Sequence, residues 1–160
     1  MGENYISPLA VTPKSSGRKW VLLESFTFHV GSDNGPEKVT VPAGFETDFA
    51  SVDFVQKVGI ILALIYVFVA SFLPWWCAVL MLFPIVFYSV MPLWWKYSKS
   101  PILHDYLYQN NGIGKYTRRE SDQIFLESML VDWRDHKAGV LLANLEYFGV
   151  RLVGWISWKK

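Results

Sequence analysis

From Val58 to Trp95 the chain carries no charged side chain, a run of 38 residues. One membrane crossing by a helix takes about 20 apolar residues. Two segments of 19 therefore just fit within the 38, joined by a tight turn near Leu73-Pro74-Trp75-Trp76. Tryptophan pairs stand at that turn and again at Trp94-Trp95, where interface anchors belong. Lys57 precedes the run, and Lys96 and Lys99 follow it. Basic flanks on both sides place both ends in the cytoplasm. Pro84 and Pro92 would kink the second segment. A re-entrant hairpin, or a hydrophobic hairpin buried in a soluble core, satisfies the same run. A small domain cannot easily bury so long an uncharged stretch, so the expectation is a transmembrane hairpin over 58–95.

The rest of the chain reads as ordinary soluble protein. Hydrophobic residues make up 52% of the 160, and the excess is concentrated in that one block. The net charge of +1 gives no nucleic-acid footprint. The single cysteine, Cys77, lies inside the apolar block, which excludes a disulfide within one chain. The start, MGENYISPLAVTPKSS, has no apolar core, so no secretory signal is expected. Ile6 stands where a myristoylation signal places Ser or Thr, so no lipid anchor is expected either.

Residues 1–19 are polar, with Pro8 and Pro13, and are expected to form a loosely ordered arm. Trp20–Val30 is rich in aromatic and β-branched residues, and KVTVPAGF follows the turn cluster GSDNGPE. The pattern predicts a β-hairpin with its loop around Asn34-Gly35. ETDFASVDF reads as a polar-aromatic loop. Beyond the apolar block, Ser100 as N-cap and Pro101 at the first position predict a helix to about Asn110. NNGIGKY is a loop. Thr117-Arg118-Arg119-Glu120 has the spacing of a capping box, opening a helix to about Trp133. A third helix is expected over about Ala138–Trp155, with Leu141, Leu145, Phe148 and Leu152 on one face. The expected organisation is an arm (1–19), a discontinuous α+β, mainly α domain (20–57 with 97–160) and the hydrophobic insert (58–95).

Two aspartates and a histidine stand out in SPILHDYLYQNNGIGKYTRRESDQIF, Ser100–Phe125. Asp122 shares a helix face with Phe125, Leu126 and Met129, where a carboxylate is costly unless paired. His104 shares a face with Leu107 and Tyr108. A short connection makes the two helices antiparallel neighbours, so His104 and Asp122 can meet. A carboxylate on one imidazole nitrogen leaves the other available as a general base. Tyr108 can bond the same carboxylate. Asp105, turned about 100° from His104, points toward a separate, oxygen-rich site. A buried structural polar pair is the plainer reading of His104 and Asp122. Asp48 as a turn residue and Asp105 as a solvent-facing one are the corresponding plain readings.

The arrangement resembles phospholipase A2, whose signature is a helical His-Asp-x-x-Tyr followed by an antiparallel helix bearing the dyad's Asp. The matching residues are His104, Asp105, Tyr108 and Asp122. Small bacterial secreted members carry Thr-Asp-Leu-Cys ahead of the His helix, and this chain has Thr47-Asp48-Phe49-Ala50. Arg119, Phe125, Ser128 and Met129 in the second helix look similar, as do Tyr147, Val150-Arg151 and Gly154 in the last. VPAGFETDFASV, HDYLY and RRESDQIF also resemble a family of phage-encoded proteins of unknown function, with Ser121 in place of that family's Ala. The resemblance covers about 20–54 and 97–155. The apolar block and the lack of disulfides depart from it.

The resemblance implies antiparallel helices of phospholipase A2 type. It implies Ca2+ held by Asp48, the Phe49 carbonyl and Asp105, a set of hard oxygen donors. His104 would activate water against a phospholipid sn-2 ester, with Asp122 orienting it. The implied protein is a phage-derived, membrane-anchored lipid hydrolase. It would sit in the host inner membrane or the virion, with its soluble domain on the cytoplasmic side. Its partners would be a phospholipid membrane and other virion proteins, with no nucleic acid. Two other classes stay open: a non-catalytic virion or assembly membrane protein retaining the fold, and a metal-dependent cell-wall hydrolase.

Overall fold

The computed structural model describes residues 9–15, 19–31, 35–48, 61, 64–66, 68, 72, 99–134 and 139–158. The chain divides into two compact units, Met1–Phe49 with Ser98–Lys160, and Ala50–Tyr97.

The first unit is α+β, with two small antiparallel sheets and a helical part. Strands β1 (Val11–Pro13), β2 (Trp20–Leu22) and β5 (Glu46–Thr47) form one sheet in the order β1-β2-β5. Strands β3 (Phe26–His29) and β4 (Lys38–Val41) form the other, in register Phe26 to Val41 and His29 to Lys38. The β3–β4 pair is the hairpin that the turn cluster predicts. The strand expected over 20–30, however, is two strands in two different sheets. Leu22, Phe26 and Phe28 are buried at even positions, which would carry Glu24 inward along an unbroken strand. The chain instead breaks at Leu23–Ser25 and leaves Glu24 exposed. The arm expected over 1–19 contains β1, paired with β2 from Val11 to Leu22. The loop expected from Glu46 begins as β5, paired with Val21 and Trp20.

Strand β4 alternates exposed Lys38 and Thr40 with buried Val39 and Val41, which puts one face on the core. On the outer face the Thr27 and Thr40 hydroxyls bond at 2.9 Å. Gly44, at φ +83°, turns the chain from β4 into β5.

Helix α1 (Lys99–Gln109) is buried almost all round, from Ser100 to Asp105 and at Leu107 and Tyr108. Ser100 lies inside it rather than capping it. Its N–H and its hydroxyl both donate to Asp132 Oδ2, at 3.0 and 2.6 Å. Residues Asn111–Gly114 then make a tight turn with φ between 49° and 69° at all four positions. Gly112 suits this because a Cβ there would meet Tyr116 and Trp158. Helix α2 (Arg118–Asp132) opens with the expected capping box between Thr117 and Glu120. Since Asp132 meets Ser100 while Asp122 meets Tyr108, α1 and α2 run antiparallel. Helix α3 (Gly139–Val153) packs on α2 and ends in a single tighter turn, Gly154–Ile156.

The α3 face named from the sequence is at the surface: Leu141, Phe148 and Leu152 are exposed and Leu145 is half-buried. The buried face is Gly139, Ala143, Glu146, Val150 and Gly154. Its small residues let α3 approach closely. At Gly139 a Cβ would fall 2.8 Å from that of Trp133.

Most of 58–95 lies outside the described residues. Ile61, Leu64, Ile65, Tyr66 and Phe68 are helical, and with Phe72 they are exposed, apart from half-buried Tyr66. Among the described residues one helical stretch, Gly139–Ile156, is long and apolar enough to cross a membrane by length and composition.

Candidate functional site

His104, Tyr108 and Arg151 converge on Asp122, which has no exposed surface. His104 Nε2, from α1, stands 3.5 Å from Asp122 Oδ1. Tyr108, one turn further along α1, donates its hydroxyl to the same oxygen. Arg151, from α3, donates Nη1 to Asp122 Oδ2 at 2.6 Å. Three helices thus meet at one carboxylate. The imidazole lies between the Tyr108 ring, 4.0 Å centroid to centroid, and the Phe125 ring at 4.3 Å. Phe125 follows Asp122 by three residues on α2, so the carboxylate and the ring share a face. Trp158 meets Tyr108 edge-on at 5.0 Å. Gly154 lies directly against the Tyr108 hydroxyl.

The electrostatics follow from this packing. Burial alone would raise the Asp122 carboxyl, but the nearby His104 and the hydrogen bonds from Tyr108 and Arg151 outweigh it and hold Asp122 below the ordinary range. Burial lowers His104, and Asp122 offsets only part of the shift, so the imidazole favours its neutral form. Burial and the Asp122 charge both push the Tyr108 hydroxyl upward, keeping it a donor.

Asp105 turns away from this cluster, as its step around the helix requires. Its Oδ2 accepts the buried Thr47 hydroxyl, which ties α1 to β5. Asp48 follows Thr47 and is exposed. Phe49 lies outside the described residues. Among the described residues no group of three or more His, Cys, Asp or Glu side chains could hold a metal ion. Asp48 and Asp105 are hard oxygen donors of the kind calcium takes, but the Thr47 hydroxyl is committed to Asp105.

His104, Tyr108 and Asp122 therefore come together, and Asp105 is tied instead to Thr47 of β5, the residue before Asp48. Sequence reasoning missed Arg151 as the Asp122 counter-ion. A solvent-facing helical arginine has the same local pattern, so only the packing of α3 reveals it. Glu146, 4% exposed, was also missed. Its Oε1 has no hydrogen-bond partner among the described residues, and burial pushes its carboxyl up to about 7. Arg118 is half-buried and donates Nη2 to the Arg151 carbonyl at 3.5 Å, while Arg119 is exposed. His29 in β3 bonds the Gly35 carbonyl through Nδ1 at 2.8 Å, a structural arrangement.

A family model described as a protein of unknown function (DUF1353) matches residues 81–150. That span holds His104, Asp105, Tyr108 and Asp122 and excludes Asp48 and Arg151. No curated protein and no solved structure matches the chain.

Proposed function

We propose that the protein is a membrane-anchored lipid ester hydrolase of phospholipase A2 type and of phage origin. The observation that carries this reading is the buried His104–Asp122 pair, with Tyr108 on the same carboxylate oxygen. His104 takes a proton from a water that attacks the ester carbonyl. Asp122 fixes the ring and stabilises the imidazolium that forms. Tyr108 holds the carboxylate in place from the adjacent turn of α1. Asp48, Asp105 and the Phe49 carbonyl would hold calcium, which when bound supplies a positive charge for the developing oxyanion. The uncharged run 58–95 tethers the domain to the bilayer and raises the effective substrate concentration.

A second reading is a non-catalytic virion or assembly membrane protein that keeps this network as a structural core. The Arg151 guanidinium favours it. By neutralising Asp122 at 2.6 Å, it leaves less charge to stabilise a protonated His104.

Fatty-acid release from mixed phospholipid vesicles separates the two. Calcium-dependent release, abolished by chelator and by His104→Ala, is expected of the hydrolase. No release by folded protein under any of these conditions would overturn it. Wild-type incorporation of His104→Ala into a particle would favour the structural protein.

A further inference from the structure

The outer face of α3 is apolar and uncovered in the unit that contains it. Val140, Leu141, Phe148, Leu152, Trp155 and Ile156 are all 62–75% exposed. Leu141, Phe148, Leu152 and Trp155 follow one another at seven, four and three residues, which puts them on one stripe. A core helix of this length and composition would be mostly buried, whereas 28% of Gly139–Ile156 is. Isolated exposed apolar residues are ordinary, but a continuous stripe of this size marks an interaction surface.

Charge identifies the occupant. The charged side chains of 139–160 are Glu146, Arg151, Lys159 and Lys160. Glu146 is buried on the opposite face, and Arg151 is paired with Asp122. The helix therefore presents no exposed acidic side chain, and Lys159-Lys160 follow Trp155 and Trp158 in sequence. Aromatic residues beside lysines after an apolar face fit an anionic lipid surface. The same chain exposes Ile61, Leu64, Ile65, Phe68 and Phe72 in its other unit.

Crossing the membrane is excluded for α3 by its own inner face. Ala143, Glu146, Val150 and Gly154 are buried, and Arg151 bonds Asp122 on α2. We infer that α3 lies along an anionic leaflet, with Phe148 and Leu152 among the acyl chains and its inner face on the protein. The inference is independent of catalysis and holds for a virion protein equally.

Site-directed nitroxides on full-length Cys77→Ser protein test it, in vesicles of phosphatidylethanolamine and phosphatidylglycerol. Leu152→Cys and Phe148→Cys report the stripe, and both positions tolerate change because they are exposed. Gln123→Cys, on the exposed side of α2, is the aqueous control. The expected result is a several-fold higher ratio of oxygen to nickel-chelate accessibility at 148 and 152 than at 123. A ratio equal to that at 123 would overturn the inference by placing the stripe in water. Exclusion of both reagents would also overturn it, since a second copy or another segment would then cover the stripe. The contrast should weaken in pure phosphatidylcholine, and an undiminished contrast would overturn the choice of an anionic leaflet.

Discussion

Gly154 faces the Tyr108 hydroxyl with no room for a Cβ between them. This contact lets α3 close onto α1 while Tyr108 keeps its bond to Asp122. Gly154→Ala should push the Tyr108 ring aside and break that bond, costing about 1–3 kcal/mol by overpacking. Denaturant titration checks the loss. A Gly154→Ala, Tyr108→Phe double variant should recover part of it, because the clashing oxygen is gone.

Arg151 compensates a carboxylate that has no exposed surface. Arg151→Met keeps the aliphatic stem and removes the charge. Since the arginine is partly exposed, the expected loss is about 3 kcal/mol, at the low end for a broken buried pair. The acid limb should move too. Asp122 is held below its ordinary value of 3.8, so its contribution is present above that value and is lost as pH falls through the folded value. Without Arg151 that loss should begin at higher pH.

Glu146 works in the opposite direction. Its folded value of about 7 lies above the ordinary 4.5, so the folded state binds the proton more tightly. Stability from this group is complete below about 4.5 and declines as pH rises through about 7, by roughly 3 kcal/mol in all. Glu146→Gln should flatten the decline and leave the variant more stable than wild type above neutrality. Thermal unfolding across pH 4–8 reads both effects.

The Thr117 hydroxyl accepts the Glu120 N–H, and the Glu120 carboxylate accepts the Thr117 N–H at 2.7 Å. Thr117→Ala should cost about 1 kcal/mol, seen as a lower denaturation midpoint at unchanged slope. Glu120→Gln, which keeps the reciprocal bond, should cost less.

The legible parts of the sequence are those with local causes. The capping box depends on residues three apart, and the β3–β4 hairpin on a turn cluster between alternating residues. The meeting of Tyr108 with Asp122 required only two antiparallel helices and a short loop. What escaped the sequence depended on partners far along the chain. Glu24 breaks a strand because of the parity of Leu22 and Phe26, visible only once the core side is known. The face of α3 was the harder lesson. Hydrophobicity marks Leu141, Phe148 and Leu152, but close approach to Trp133 and to Tyr108 selects Gly139 and Gly154 instead. Arg151 is recognisable as a counter-ion only after that choice is made.

The tie between Thr47 and Asp105 spans 58 residues, whereas that between Tyr108 and Asp122 spans 14. The closure entropy of a chain segment grows only logarithmically with its length. The α1–α2 hairpin therefore closes the shorter segment, and Arg151 of α3 completes the pairing of its buried carboxylate. The β5 strand must return across everything between residues 49 and 98. Because each doubling of that stretch adds only about 0.6 kcal/mol, the interval is a place where the chain can gain or lose dozens of residues. Such changes leave the helical hairpin untouched. The Tyr108–Asp122 and Thr47–Asp105 ties thus close segments of very different length, although one helix carries both Tyr108 and Asp105.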